Sequence, residues 1–223
     1  MNEQPKKRTN LAPIIGIIAG VLVVAGGVTM ALILINQNSG NNGPDIAKDV
    51  KEPHKNDKAY FIKIGNKTFT NQSTIKDLEE AGYKLSAGTE NNEVSANFYR
   101  PASLANSDKG TGLIVSGYNE TEQAIAISSA KLGKISISNS TIKYAQEEYS
   151  AMEVYGGIHL GSSKDDLTNA FGEPTDTRES TAYDGKPSQI IEYEDTSFKK
   201  YKFTLEDDKV SKIEWINYGK LND

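Results

Sequence analysis

The chain has 223 residues, a net charge of −5 and no cysteine. Without cysteine there are no disulfides, zinc–thiolate sites or thiol nucleophiles, so a folded region must be held by its own core. The acidic balance argues against nucleic acid or anionic lipid headgroups as partners, since both need a basic face.

Residues 11–35, LAPIIGIIAGVLVVAGGVTMALILI, carry no charge. At about 1.5 Å per residue such a helix is roughly 37 Å long, enough to cross a hydrocarbon core of about 30 Å with some tilt. Lys6, Lys7 and Arg8 precede the span, and residues 36–44 are uncharged. The positive-inside bias therefore predicts a single-pass plasma-membrane protein with residues 1–10 cytoplasmic, 11–35 transmembrane and the remainder extracellular. The run outlasts the apolar core of a cleaved signal and no A-x-A site follows it, which favours an uncleaved signal-anchor. Ala12, Gly16 and Gly20, then Gly27 and Ala31, repeat at four-residue spacing. That spacing lets helix backbones approach and suits a homo-oligomer, although Gly and Ala are also common in membrane helices generally.

Residues 36–58 read as a flexible linker, Asn/Gly/Ser-rich and then charged, with an r.m.s. reach of roughly 25–30 Å. His54 falls here and is expected to be exposed and idle. Ordered sequence is expected from residue 59. AYFIKIGNKTFT alternates apolar and polar residues around Gly65-Asn66, the pattern of a hairpin. Ser73-Thr74 opens a short helix with Ile75, Leu78 and Ala81 on one face and Gly82 after its end. Residues 83–99 suit two short strands, 101–112 a loop, and 112–118 and 123–138 further strands. A junction is expected at 147–152, after which the pattern restarts. A strand through Ile158 and Leu160 leads to Ser162-Ser163, where Ser163 with Asp166 resembles a capping box. Leu167, Ala170 and Phe171 form the apolar stripe of the second helix, and Gly172 and Pro174 end it. Strands at 189–194, 199–205 and 209–217 follow, with Tyr201, Phe203 and Leu205 sharing one face of the second and Ile213 and Trp215 sharing one face of the third. The stripe is expected to pack on that aromatic face. The fold class is thus α+β: short helices on antiparallel β-meanders, with a first unit at 59–148 and a second at 149–223. Both share an order of elements, and a 90-residue offset pairs Ser73 with Ser163 and Gly82 with Gly172, which suggests two tandem units.

IHLGSSKDDLTNAFGEPTD, followed by IEYED and YKFTLEDDKVSKIEWI, resembles the helix-plus-meander module of the β-lactamase-inhibitor-protein-like and SmpA/OmlA families. The resemblance covers residues 153–218. More faintly, TIKDLEEAGYKL and IVSGYNETEQAIAISSAKLGKISI resemble extracellular domains of small Gram-positive membrane proteins. What this resemblance implies is a non-enzymatic, envelope-exposed protein-interaction domain. Inhibitory contact residues do not carry over, because that function belongs to particular members. Those modules are often lipid-anchored, whereas this chain offers a membrane helix.

Chemical candidates weaken on inspection. S-x-x-K, the nucleophile motif of penicillin-binding proteins, occurs at Ser73, Ser128, Ser140 and Ser197. Neither S-D-N nor K-T-G follows, and Ser73 is better explained as a helix cap. His159, the sole histidine of the ordered part, sits on a strand as a satisfied or solvent-facing ring. Glu192, Glu194, Asp195, Asp207 and Asp208 lack the spacing of a calcium loop and read as turn and surface residues. No cofactor, no metal and no catalysis are expected. The expected partner is a protein or cell-wall component outside the membrane, met by sheet edges or by the loops 101–112 and 175–188. In the second loop Arg178, Tyr183 and Lys186 are the candidate contacts. Tyr99, Tyr118, Tyr149, Tyr155 and Tyr218 are either interface or core. The alternative function is a structural or accessory subunit of a membrane complex, joined through Ala12, Gly16 and Gly20.

Overall fold

A computed structural model of the chain describes residues 52–139, 149, 151–182 and 184–219. The expected span at 11–35, with Ala12, Gly16 and Gly20, lies outside the described residues. Among those described, no helix is long and apolar enough to cross a membrane.

The first expected hairpin forms as β1 (Ile62–Ile64) and β2 (Lys67–Phe69), joined by Gly65 at φ 61°. Helix α1 (Ile75–Glu80) follows, then β3 (Lys84–Leu85), β4 (Glu93–Val94), β5 (Phe98–Asn106), β6 (Thr111–Asn119), β7 (Ile125–Ala126) and β8 (Lys131–Ser138). The second half contributes β9 (Met152–Val154), β10 (Ile158–His159) and α2 (Lys164–Phe171). It ends with β11 (Asp176–Thr181), β12 (Pro187–Thr196), β13 (Lys199–Glu206) and β14 (Lys209–Asn217). Antiparallel sheet with few helices is the class expected. Both expected loops are corrected: 101–112 holds most of β5 and the start of β6, and 175–188 holds β11 and the start of β12.

An eight-stranded sheet runs β11-β12-β13-β14-β8-β6-β5-β3, and a four-stranded one runs β10-β9-β1-β2. The two halves are not packed apart. β8 pairs with β14 in the large sheet, β1 pairs with β9 in the small one, and one contiguous core serves both.

Each half repeats one arrangement: a hairpin, a capped helix, and a meander whose last strand returns to the helix start. Thr74 and Ser163 are the N-caps, each accepting from the backbone of an aspartate three residues on, Asp77 and Asp166, whose carboxylates accept in return. Thr74 bridges to Lys131 at the start of β8, and Ser163 bridges to Lys209 at the start of β14. Leu132 N donates to Ser73 O at 2.7 Å, and Val210 N donates to Ser162 O at 2.8 Å. The 90-residue offset is therefore corrected by one: Thr74 corresponds to Ser163. Ser73 is no cap, and its hydroxyl accepts from the Thr70 N–H instead.

The inner face of the large sheet carries Tyr193, Tyr201 and Phe203, and the Phe171 ring lies 4.8, 5.2 and 5.6 Å from theirs. This is the packing expected of the second helix, with Leu167 and Phe171 buried and Ala170 partly so. Trp215 and Ile213 are buried on the same side. Tyr201 binds the small sheet's lead-in: its hydroxyl accepts from Phe61 N at 2.9 Å and lies 2.7 Å from Ala59 O and 2.8 Å from Phe61 O.

The expected linker is corrected at its end. Pro53–Lys55 and Asp57–Ala59 form 3-10 turns against the domain. His54 is only 4% exposed, its ring 6.2 Å from that of Tyr193, and its buried Nδ1 has no partner. Lys199 holds this strap through Asp57 at 2.6 Å and lies 4.7 Å over the Tyr60 ring.

Candidate functional site on the uncovered face of the large sheet

Helix α2 and the turns before β1 lie on the Tyr201 side of the large sheet. The other face holds the alternate residues of each strand, and cross-strand pairing orders them into rows. One row reads Ser103, Ile114, Ser136, Glu214, Lys202, Glu192 and Asp176, from β5 across to β11. A second reads Pro101, Ser116, Lys134, Ile216, Lys200 and Glu194.

The β5–β6 end of this face is apolar. Among the described residues the large hydrophobics in the open are Phe98, Tyr99, Ile114 and Phe198, with Phe98 61% and Ile114 57% exposed. Asn97, left-handed at φ 54°, leads into β5, and the Phe98 ring stacks on Tyr99 at 5.6 Å. Tyr218 closes the group, 5.1 Å from Tyr99 and 6.2 Å from Tyr118. Gly133 makes room for it: a Cβ there would come within 2.1 Å of the Tyr218 ring.

The centre of the face is charged. Glu214 is buried, with Lys134 at 2.6 Å on one carboxylate oxygen and Lys212 at 3.1 Å and Lys202 at 3.6 Å on the other. Burial pushes its carboxyl up, but the hydrogen bond and charge of Lys134, then Lys212, outweigh that and hold it below the ordinary range. Toward β11, Glu192 takes Lys200 at 2.9 Å and Arg178 at 2.6 Å, and Lys200 also binds Glu194 at 2.9 Å. Burial raises the Glu192 carboxyl, and Lys200 followed by Arg178 overcomes the effect and leaves it depressed.

Comparison of the chain with protein-family models, curated proteins and solved structures gives no match.

Of the sequence candidates, Arg178 stands on β11 and is engaged with Asp176 and Glu192, so it supports a buried carboxylate rather than standing free. Lys186 lies in the β11–β12 turn, paired with Asp184 at 2.8 Å. Tyr183 lies outside the described residues. The tyrosines divide: Tyr118, Tyr149 and Tyr155 are buried, Tyr218 nearly so, and Tyr99 is exposed. His159 Nδ1 bonds its own neighbour's carbonyl, Leu160 O, at 2.9 Å. Phe98, Ile114, Lys134, Lys202 and Lys212 were not singled out by sequence. The available signals were the Lys200-x-Lys202 and Lys212-x-Glu214 alternations, which mark polar faces of strands without saying which strands adjoin.

Proposed function

We propose that the chain is a membrane-anchored, extracytoplasmic, non-catalytic domain that binds another protein through the uncovered face of its large sheet. The observation that carries this reading is the exposure of Tyr99, with Phe98 stacked on it and Tyr218 beside it, and of Ile114 farther along the same sheet face. Isolated exposed hydrophobics are ordinary, whereas a group of exposed, stacked aromatics on a face with a charged centre suits a binding surface. Anchorage rests on the uncharged run at 11–35 behind Lys6, Lys7 and Arg8. The resemblance to the β-lactamase-inhibitor-protein-like and SmpA/OmlA modules gains support from the helix-plus-meander arrangement. The matching bridges at Thr74 and Ser163 favour reading the halves as tandem copies of it.

A photo-crosslinking residue placed at Ile114 in the full chain, in the membrane of the expressing cell, tests the binding reading. The same residue at Lys76, exposed on α1, is the reference. A discrete protein adduct from position 114 and none from 76 is the expected result. Equal yields, or no adduct at 114, refute the reading. Scrambling Ala12, Gly16 and Gly20 leaves the adduct intact if binding belongs to the sheet face; its loss favours an accessory subunit joined through the membrane helix.

A further inference from the structure

We infer that the partner engages this face with an acidic protein segment in which an apolar side chain precedes a carboxylate by three residues. The inference rests on the binding reading above and specifies the chemistry of the same surface. Lys134, Lys202 and Lys212 converge on the single carboxylate of Glu214. Each ammonium has three donors, and one carboxylate cannot occupy them all or cancel their combined charge. Glu214 lies underneath, its side chain 6% exposed, while those of the lysines are 28%, 26% and 38% exposed. The remaining donors therefore face solvent. On the β11 side the balance reverses, since Asp176, Glu192 and Glu194 meet only Arg178 and Lys200. The centre of the face is thus a positive spot on a chain whose net charge is −5. An acidic segment is drawn to that spot and repelled by most of the rest of the molecule, which gives register as well as attraction.

The geometry also sets the spacing. Ile114 and Glu214 share a cross-strand row with Ser136 between them. Two strand intervals are about 10 Å, and three residues of a polyproline-II segment cover about 9 Å in one full turn, which returns the side chain to the same face. An apolar side chain over Ile114 therefore places a carboxylate three residues later over Lys202 and Lys212. A phosphate polymer of the cell wall satisfies the lysines but leaves Ile114 uncovered, so the acidic protein segment fits the row better.

The test uses the full chain in non-ionic detergent and a fluorescein-labelled octapeptide carrying one Phe three positions before a Glu pair. Its uncharged analogue with Gln for Glu, and a glycerol-phosphate oligomer, are the competitors. By fluorescence anisotropy the Glu peptide binds and the Gln peptide binds at least tenfold more weakly. Lys202→Ala with Lys212→Ala weakens the Glu peptide at least tenfold. Lys202→Arg with Lys212→Arg, which keeps the charge, retains binding, and an unchanged Trp215 emission maximum shows the fold is kept. Equal binding of the two peptides, indifference to the alanine pair, or no binding by the charge-preserving variant overturns the inference. Lysine-dependent binding of the oligomer tighter than that of the Glu peptide overturns it in favour of a phosphate polymer. The two readings fail separately. An Ile114 adduct undiminished in the alanine pair leaves the face a binding surface with other chemistry; absence of that adduct in the parent removes the reading beneath.

Discussion

Tyr201→Phe removes one oxygen atom and tests how the small sheet is tied to the large one. The Tyr201 side chain is fully buried on β13, and its hydroxyl serves the chain entering β1, accepting from Phe61 N and donating to Ala59 O or Phe61 O. Burial keeps the phenol protonated far above neutral pH, so the donor persists at every ordinary condition. Phenylalanine fills the same space but orphans an N–H and a carbonyl. A buried polar group without its partner costs about 1–3 kcal/mol, and Phe61 is only half-buried, so water recovers part of the loss. The expected net cost is about 2 kcal/mol, or roughly 4–8 °C in Tm for a domain of this size. Urea unfolding of the full chain followed by Trp215 fluorescence is a fitting assay, because Trp215 is the cross-strand partner of Tyr201. Tyr193→Phe is the comparison: its hydroxyl donates to Gly172 O at a longer 3.3 Å, and its loss should cost under about 1 kcal/mol. A Tyr201→Phe chain as stable as the parent, or a Tyr193→Phe chain that loses more, refutes the tie.

His54 is held neutral, first by burial and then by Lys55, with Lys199 opposing its charge and Glu52 and Asp195 favouring it. Its folded pKa is lowered while the unfolded one lies near 6.5, so its contribution to stability is constant above about pH 6.5 and is lost as pH falls through the lowered value. Thermal melts should begin to fall as pH drops below about 6.5, where the unfolded histidine takes up its proton, and His54→Leu should flatten that slope; an unchanged slope speaks against the burial. Thr74→Ala and Ser163→Ala should each cost about 1 kcal/mol in urea midpoints, and a cap whose removal is neutral is not acting as one. Phe171→Ala should cost about 3–5 kcal/mol, since it empties the space between Tyr193, Tyr201 and Phe203, and Trp215 should resist aqueous quenchers in the parent. Ready quenching of Trp215 in the native parent would contradict the packing.

What was legible in the sequence is what local chemistry decides. The turn at Asp207-Asp208, both left-handed at φ 51° and 57°, and the Ser163/Asp166 box are written in adjacent residues. So is the alternation of β13 and β14. Where neighbours in space decide, the pattern is lost. β11, DTREST, is an edge strand almost wholly exposed, so no apolar period marks it. β5 contains Pro101, which reads as a loop. Ser103 O accepts from Ser86 N on the outer edge, so two residues earlier Pro101 also faces that edge, where a missing N–H costs no pairing. His54 lies in a short 3-10 turn and is buried by contacts to β12 and β13, more than a hundred residues away in the chain. The lysines around Glu214 come from three strands, β8, β13 and β14, and only the register of the folded sheet brings them together.

The position of β14 has a consequence for how the chain reaches this state. The last strand in sequence lies between β13 and β8, at the middle of the large sheet. Until it arrives, β8 and β13 each present an open hydrogen-bonding edge, and β8 has only β6 beside it. As the polypeptide emerges from the ribosome or a translocation pore, the sheet exists as two separate ribbons, and the strand carrying Trp215 joins them in one late, long-range step. Such a step has a high loop-closure cost and is slow relative to hairpin formation. A chain interrupted after Glu206 would expose two unpaired edges and a half-covered core, so truncated products should be the species that chaperones retain and proteases remove.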